Sequence, residues 1–369
     1  MNKTYTETSS RVLELIDRQT EVVSNIGCSD LNHAMSVLKD IRDVMSNYSV
    51  RVVVLGKYGS GKSSFLNAMI GHPLLPTRLP PFYEAIWEIQ YAKSPSATIY
   101  PNRYSGKEPF DVRIEDLKNY IFFDRGEMTD DEKKAIVYEK IVLKYPIDTY
   151  KQNVVLAETP WLSDNYIMHE YLFSADVIIY CMRSHSPFGT TDKNVIEHLR
   201  ALGHKSIIFA LTYFDTVEQC DLMTGNHDAE EIRRHYISVL SPYTDFGSDG
   251  IFFISSVSAL NGKMEGDMSV LKSSQLPKLE KKLEQVLDER GRIQLIKAFD
   301  SVKNANRDTR RFLLDRIESS FQNLTSSSLH QMLESKIASD ISLLKDCNVI
   351  LDDSDSIKNK LIIDIWHKK

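Results

Sequence analysis

Apolar residues along this chain are spaced in three ways, and the spacing divides it. From residue 5 to 26, Val12, Leu15, Ile16, Val22, Val23 and Ile26 recur at helical intervals. Gly27 ends that run, Ser29 or Asp30 is placed to cap the next, and Leu31, Met35, Leu38, Ile41 and Met45 continue it. Beyond Arg51 the pattern changes to short continuous apolar runs at Arg51–Leu55, Ala85–Tyr91, Val154–Ala157, Val177–Met182, Ser206–Leu211 and Ile251–Ser255. Runs of that length without alternation belong to strands covered on both faces. Helical patterns at Asp192–Leu202 and Asp228–Leu240 alternate with them, which predicts an α/β fold: a mostly parallel sheet with helices on both faces.

Residues 92–136 read as an insertion, with a strand at Ala97–Tyr100 and a helix at Ile114–Phe123, and Val137–Tyr145 alternates as an edge strand. From Leu276 onward the pattern is wholly helical, through Leu279, Leu283, Leu287, Leu295, Phe299, Val302, Leu313, Ile317, Phe321 and Leu324, then Leu329, Leu333, Ile337, Ile341 and Leu344. A helical hairpin ahead of the first strand cannot bury its apolar stripes alone, so the two chain ends are expected to close one bundle. The expected division is a helical hairpin over 1–48, an α/β domain over 49–275 and helices over 276–369.

One stretch carries chemistry. Gly56-Lys57-Tyr58-Gly59-Ser60-Gly61-Lys62-Ser63-Ser64 is a complete G-x-x-x-x-G-K-S phosphate loop between the strand Arg51–Leu55 and a helix read at Ser63–Ile70. Glycines there let successive N–H groups point at phosphate oxygens, and the helix N-terminus adds its positive end. Lys62 is expected to reach the β and γ phosphates and the Ser63 hydroxyl to ligate Mg²⁺, so these two are the residues assigned to catalysis. Gly56, Gly59, Ser60, Gly61 and Ser64 complete the phosphate cradle.

Composition narrows the rest. The chain has 369 residues, 42% hydrophobic and 26% charged, and a formal net charge of −6, which argues against broad nucleic-acid binding. Cys28, Cys181, Cys220 and Cys347 are scattered, without a C-x-x-C pair, and read as reduced thiols of a cytoplasmic protein. The first residues lack an apolar signal region and no apolar run reaches bilayer length, so any membrane contact is expected to be peripheral.

The phosphate loop, the following Phe65-Leu66-Asn67-Ala68-Met69-Ile70-Gly71, Leu74-Leu75-Pro76 and the Ala175-Asp176-Val177-Ile178-Ile179-Tyr180 strand together resemble the dynamin superfamily, most closely the bacterial dynamin-like proteins. The resemblance runs over roughly residues 50–345. It implies a P-loop GTPase domain joined to an α-helical stalk or neck, binding GTP and GDP with Mg²⁺ and coupling nucleotide state to self-assembly, or to assembly with another dynamin-like protein, on membranes.

Several motifs depart from that pattern. Where the first switch of the family carries a threonine, this chain has Phe82 and Tyr83, with Thr77 nearby. The second switch, D-T-P-G in the family, reads Glu158-Thr159-Pro160-Trp161; Glu158 keeps a carboxylate for the Mg²⁺ shell, while Trp161 replaces the glycine that senses the γ-phosphate. The guanine motif reads Thr212-Tyr213-Phe214-Asp215: Asp215 retains the acceptor for guanine N–H groups and Tyr213 stands where a lysine stem usually covers the base. Ser258-Ala259 or Ser255-Ser256 occupies the last base-contacting loop. The expected function is guanine-nucleotide binding with slow Mg²⁺-dependent hydrolysis. The alternatives are a non-hydrolysing pseudo-GTPase that partners an active dynamin-like protein and, third, a P-loop ATPase. The apolar C-terminal stretch Ile357–Lys369, with Leu361, Ile362, Ile365 and Trp366 on one helical face, is expected either to fold back on its own bundle or to contact a partner or membrane.

Overall fold

The computed structural model describes residues 3–47, 49–77, 85–103, 105–121, 138–147, 154–160, 171–224, 228–324 and 330–366. In chain order these form α1 (Lys3–Ile26), α2 (Asn32–Asn47), β1 (Val50–Leu55), α3 (Lys62–Ile70), β2 (Ile86–Tyr91), β3 (Ser96–Pro101), β4 (Phe110–Val112), β5 (Tyr138–Tyr145), β6 (Val154–Glu158) and β7 (Val177–Arg183). Then follow α4 (Thr190–Ala201), β8 (Ile207–Thr212), α5 (Phe214–Thr224), α6 (Asp228–Leu240), β9 (Ile251–Phe253), α7 (Ser256–Glu265), α8 (Met268–Ser273), α9 (Leu276–Leu324) and α10 (His330–Trp366). Two compact units result, residues 49–286 and the combination of 1–48 with 287–369.

The first unit is built on a sheet of order β4-β3-β5-β2-β6-β1-β7-β8-β9. β1 lies parallel between β6 and β7, and β8 and β9 continue the parallel series. β2 reverses direction against β6, and β3 runs antiparallel to β5 and β4. The fold is thus the expected mixed, mainly parallel sheet with helices. β1, β6, β7 and β8 are apolar over most of their length because both faces are covered: Val52, Val53, Val54, Ile179, Tyr180, Cys181, Ile208 and Phe209 are fully buried. β5 is an interior strand rather than an edge, since β3 and β2 pair with it on either side, and β4, whose three residues follow Pro109 and lack a run of their own, extends the sheet beyond β3. Where a helix was expected over Ile114–Phe123, the described residues form a 3₁₀ turn at Ile114–Asp116 and a short helix at Lys118–Ile121.

In the second unit, Val12, Leu15, Ile16, Val22, Val23 and Ile26 of α1 share one core with Leu31, Ala34, Leu38 and Met45, with Leu295, Phe299, Val302, Ala305 and Leu313 of α9, and with Cys347 and Ile350 of α10. Each fully buried large side chain contributes about 1.5–3 kcal/mol of transfer free energy. Gly27 closes α1 at φ 61, and Ser29 and Asp30 are taken into a 3₁₀ turn, Ser29–Leu31, ahead of α2. Within the apolar core lies a buried polar layer: Gln19 donates to Thr309 Oγ1 at 3.1 Å, and Asn306 Nδ2 donates to Gln19 Oε1 at 2.6 Å and to Cys347 O at 3.0 Å.

α9 is a single helix of 49 residues. Its first turns belong to the sheet-bearing unit, which places the division near residue 287 rather than 276: Leu276, Leu279 and Leu283 are fully buried, Glu280 pairs with Lys263 at 2.6 Å, and Lys282 lies 4.2 Å over the Phe246 ring. The acidic run Asp352–Asp355, read from sequence as a turn, continues α10 as helix. Asp353 pairs with Arg18 and Asp355 with Lys303, so neighbouring cations neutralise the run. Lys358 pairs with Asp300; the side chains of the apolar face at Leu361, Ile362, Ile365 and Trp366 lie outside the described residues.

A chain lacking residues 1–46 leaves the α9 and α10 core residues facing water, and we expect it to aggregate, with size-exclusion chromatography reporting soluble oligomers or loss of the monomer peak. A soluble truncation of unchanged thermal stability contradicts the shared core.

Candidate functional site

The phosphate loop connects the carboxyl end of β1 to α3, at the place where the sheet has strands on both sides of β1 and where ligands of such sheets collect. Its glycines are required by geometry. Gly56 has φ 147 and a Cβ there would stand 2.2 Å from Cys181 O; Gly61 has φ 82 and caps α3. Thr212, at the end of β8, donates through Oγ1 to Ser60 O at 2.7 Å and fixes the loop from below. Lys57 Nζ meets the buried Asp192 carboxylate at 2.5 Å, and the other Asp192 oxygen accepts from Tyr180 Oη at 3.0 Å. Arg183 Nε donates to Gly59 O at 2.7 Å. The loop is therefore pre-shaped by β7, β8 and α4 as well as by its own sequence.

Lys62 is the first residue of α3, and its ammonium turns back into the loop, donating to Gly56 O at 2.9 Å and Lys57 O at 3.2 Å. Burial pushes its pKa below the ordinary lysine range, with the nearby Glu158 opposing that shift. Ser63 donates through Oγ to Glu158 Oε1 at 2.8 Å, bringing together the two residues expected at a metal. Burial raises the Glu158 carboxyl above its usual range, while Lys62 and the Ser63 hydroxyl pull the other way. The Ser60 Oγ is buried and has no hydrogen-bond partner among the described residues. A cradle closed to any Cβ, a buried cation at its floor and an unsatisfied hydroxyl fit an anionic phosphate group.

Of the residues assigned from sequence, Gly56, Gly59, Ser60, Gly61, Lys62, Ser63, Glu158 and Thr212 converge here; Ser64 follows in the first turn of α3. Tyr213 adjoins the loop: Gly61 has its ring edge at 3.2 Å from where a Cβ would be. Tyr213 adopts φ 57, unusual for a residue with a side chain, and Thr216 Oγ1 donates to its carbonyl at 2.7 Å. Asp215 enters the first turn of α5, and its carboxylate makes no hydrogen bond or ion pair with any described residue. It lies inside the first turn, where a carboxylate also favours the positive end of α5.

The two serine pairs near the last loop resolve into one local cap. Ser255 is the N-cap of α7, accepting from Ser258 N at 3.3 Å and bonded to Ser258 Oγ at 2.9 Å. Ser258 thus has a structural partner already. Thr77 is exposed, whereas Phe82, Tyr83 and Trp161 lie outside the described residues. Asn67 anchors the start of the loop after α3 by a reciprocal pair with Leu75, Nδ2 to O and N to Oδ1, both at 2.8 Å. Sequence reading missed Lys57, Asn67, Arg183 and Asp192. Arg183 carried a usable signal, being a charged residue at the carboxyl end of an otherwise apolar strand.

Among the described residues no group of three or more His, Cys, Asp or Glu gathers to hold a metal, and no helix is long and apolar enough to cross a membrane. A Mg²⁺ ion held by Ser63 and Glu158 would therefore complete its shell from ligand oxygens and water.

Comparison with known proteins agrees with this geometry. A family model described as the dynamin family matches residues 52–214, which span β1 to the start of α5. The chain is 26% identical over 298 residues to an uncharacterised protein of the xynA 3′ region in Caldicellulosiruptor sp., covering 79% of this chain and 70% of that protein. It is 24% identical over 270 residues to the bacterial dynamin-like protein of Nostoc punctiforme, covering 66% of this chain and 38% of that one. Two solved structures, from work describing an oligomerised bacterial dynamin pair that senses and tethers membranes over long range, share the fold. Their TM-scores are 0.57 and 0.59 at 17% and 15% identity, over 96% and 95% of this chain. The chain spans about half the length of those solved chains, 54% and 53%. Residues 52–214 thus match the dynamin family model, and the chain as a whole is similar to bacterial dynamin-like proteins.

Proposed function

We propose that this protein binds guanine nucleotides at the phosphate loop and hydrolyses GTP to GDP and phosphate slowly, with Mg²⁺. The observation that carries the reading is the buried Lys62 ammonium, held on Gly56 O and Lys57 O in a loop whose glycines leave no room for a side chain. Main-chain carbonyls are weak compensation for a buried cation, so an anion entering the loop gains a charge-assisted partner. The main-chain N–H groups of the loop and the α3 N-terminus would meet its remaining oxygens. Ser63 and Glu158 would hold Mg²⁺, which when bound neutralises charge on the phosphates.

Base choice is assigned to Asp215, an acceptor with no described partner beside the exposed Tyr213 ring. Guanine offers N1–H and N2–H to such a carboxylate; adenine does not. Hydrolysis in this class rests on positioning and electrostatic stabilisation, and the described residues supply the phosphate cradle. The water-positioning side is where Phe82, Tyr83 and Trp161 replace threonine and glycine, and that substitution supports a second reading, a nucleotide-binding partner that does not turn over. Self-assembly or pairing with another dynamin-like protein at a membrane, with this chain in the cytoplasm and peripheral to the bilayer, is the biological setting we infer. The resemblance to dynamin-pair proteins supports it. The C-terminal apolar stretch is its proposed contact with a partner or a membrane.

Lys62→Ala should weaken GTP and GDP binding by about 100-fold in calorimetric titration, since one charge-assisted contact is lost. Binding equal to wild type sinks the phosphate-loop reading, whereas phosphate release at equal rates in both proteins favours the partner without turnover. Asp215→Asn should narrow discrimination between GTP and ATP by about tenfold or more, because the acceptor for guanine is gone. Full discrimination in the variant would return Asp215 to a structural role.

Glu158→Gln should raise the melting temperature of the nucleotide-free protein at pH 8 by about 2–4 °C, measured by scanning fluorimetry. The sign follows from the raised carboxyl: an ionised Glu158 costs the folded state more than the unfolded one, and that cost grows as pH rises through the ordinary glutamate range and is complete above the folded pKa. As pH falls into the ordinary glutamate range the wild type protonates and the difference closes. An equal or lower melting temperature at pH 8 contradicts the shift.

A further inference from the structure

The guanine motif of this chain lacks its cation, because position 213 is tyrosine. A different element brings one to the same junction. Arg183, the last residue of β7, donates through Nε to Gly59 O at 2.7 Å, and its guanidinium carbon lies 5.5 Å from the centre of the Tyr213 ring. Gly59, whose φ of 71 disfavours any side chain, also lies directly beneath the guanidinium: a Cβ there would stand 2.4 Å from Arg183 Nη2. The arginine therefore lies across the phosphate loop, with one end on the loop carbonyl and its plane near the aromatic ring. Its Nη groups make no hydrogen bond to any described residue.

Both ends of this bridge are held firmly. Ser184 N donates to Thr212 O at 2.9 Å, tying the end of β7 to the residue just before Tyr213, and Thr212 in turn holds Ser60 O. Tyr213 keeps its left-handed backbone at φ 57 and remains 37% exposed, with His185 edge-on at 6.1 Å on the same ring. A non-glycine residue in that region is strained by about 1–3 kcal/mol and persists only where its surroundings enforce it. The strained conformation presents an aromatic face to the ligand side of the sheet with a cation beside it.

We propose that Arg183 is a nucleotide-positioning residue that supplies, from β7, the positive charge missing at position 213. It acts through two neighbours. Its bond to Gly59 O fixes the peptide plane of the phosphate loop, so the N–H groups that follow stay aimed at phosphate, and its charge orients the Tyr213 ring as the surface on which the base stacks. This rests on the reading that the site binds a guanine nucleotide.

The test is calorimetric titration of wild type, Arg183→Ala, Arg183→Lys, Tyr213→Ala and the double variant R183A/Y213A with GDP, GTP and ATP, each protein's melting temperature being recorded. Arg183→Ala should weaken GDP binding roughly tenfold with a melting temperature close to wild type. Arg183→Lys, which keeps a donor and a charge, should recover most of the loss, and the double variant should lose less than the product of the single losses. Undiminished affinity in Arg183→Ala, a fall in melting temperature without a change in affinity, or multiplicative losses in the double variant would each overturn the proposal. Should Arg183→Ala fail to fold, Arg183→Gln takes its place, since it retains an N–H for Gly59 O and lacks only the charge, and unchanged affinity there is equally fatal. Wild type binding ATP as tightly as GDP would overturn the guanine reading while the arginine variants still decide the role of Arg183 with ATP. No nucleotide binding by wild type overturns both.

Discussion

An ammonium group buried in a loop of main-chain carbonyls sets the terms for the sheet-bearing unit. Removing such a charge from water is costly, and among the described residues Lys62 is compensated by Gly56 O, Lys57 O and the carboxylate of Glu158 nearby. That arrangement exists because the loop curls tightly enough to bring two carbonyls within reach of one side chain. The curl needs positive φ at Gly56, Gly59 and Gly61 and contact so close that a methyl group would strike Cys181 O. It also needs β6 and β7 on either side of β1, since they deliver Glu158, Cys181 and Arg183 to the same edge. Sheet order, glycine placement and the lysine are therefore one constraint seen at three scales.

The same edge collects ionic and polar groups that hold the loop before any ligand arrives. Asp192 accepts from Lys57, Tyr180 and Gly189 N, which leaves this nearly buried carboxylate well satisfied. Thr212 reaches Ser60 O from β8, and Arg183 reaches Gly59 O from β7. Preorganisation of this kind lowers the entropy lost when a phosphate binds, so a site with altered switch motifs retains a rigid anion cradle. The departures from the family pattern concentrate at positions 82, 83, 161 and 213, on the sides of the site that sense or grip, while the cradle itself is intact.

The helical unit obeys a different constraint. Its apolar stripes come from opposite ends of the chain and none can be left in water, so α1 and α2 close on α9 and α10. The buried layer of Gln19, Asn306 and Thr309 adds register, because its hydrogen bonds form only when α1, α9 and α10 meet at one height. A slip of one turn would strand three polar side chains in an apolar core, at about 1–3 kcal/mol each. Arg316 on Asp340 repeats the device nearer the far end of the pair of long helices.

Local pattern alone was enough to place β1, α3, β6, β7, β8 and α6, since continuous apolar runs and helical spacing are written in neighbouring residues. The phosphate loop was legible for the same reason: glycine spacing and the Lys-Ser pair encode its curl and its charge within nine residues. Even the meeting of the two ends followed from stripes too apolar to stay exposed. What sequence left undetermined depends on residues far apart in the chain. β4 has no apolar run and exists because β3 offers it an edge; β5 is interior because β3 and β2 pair with it on either side. The acidic run at Asp352–Asp355 reads locally as a turn, and only Arg18 and Lys303, placed beside it by packing, let helix α10 pass through. Ser258 bonds its neighbour Ser255 in a helix cap, a local partner that its place in the sequence did not show. Arg183 and Asp192 reach the loop from β7 and α4, and no spacing rule relates residues more than a hundred positions apart; their contact with Gly59 and Lys57 was decided by strand order, which brings the end of β7 and the start of α4 to the loop after β1.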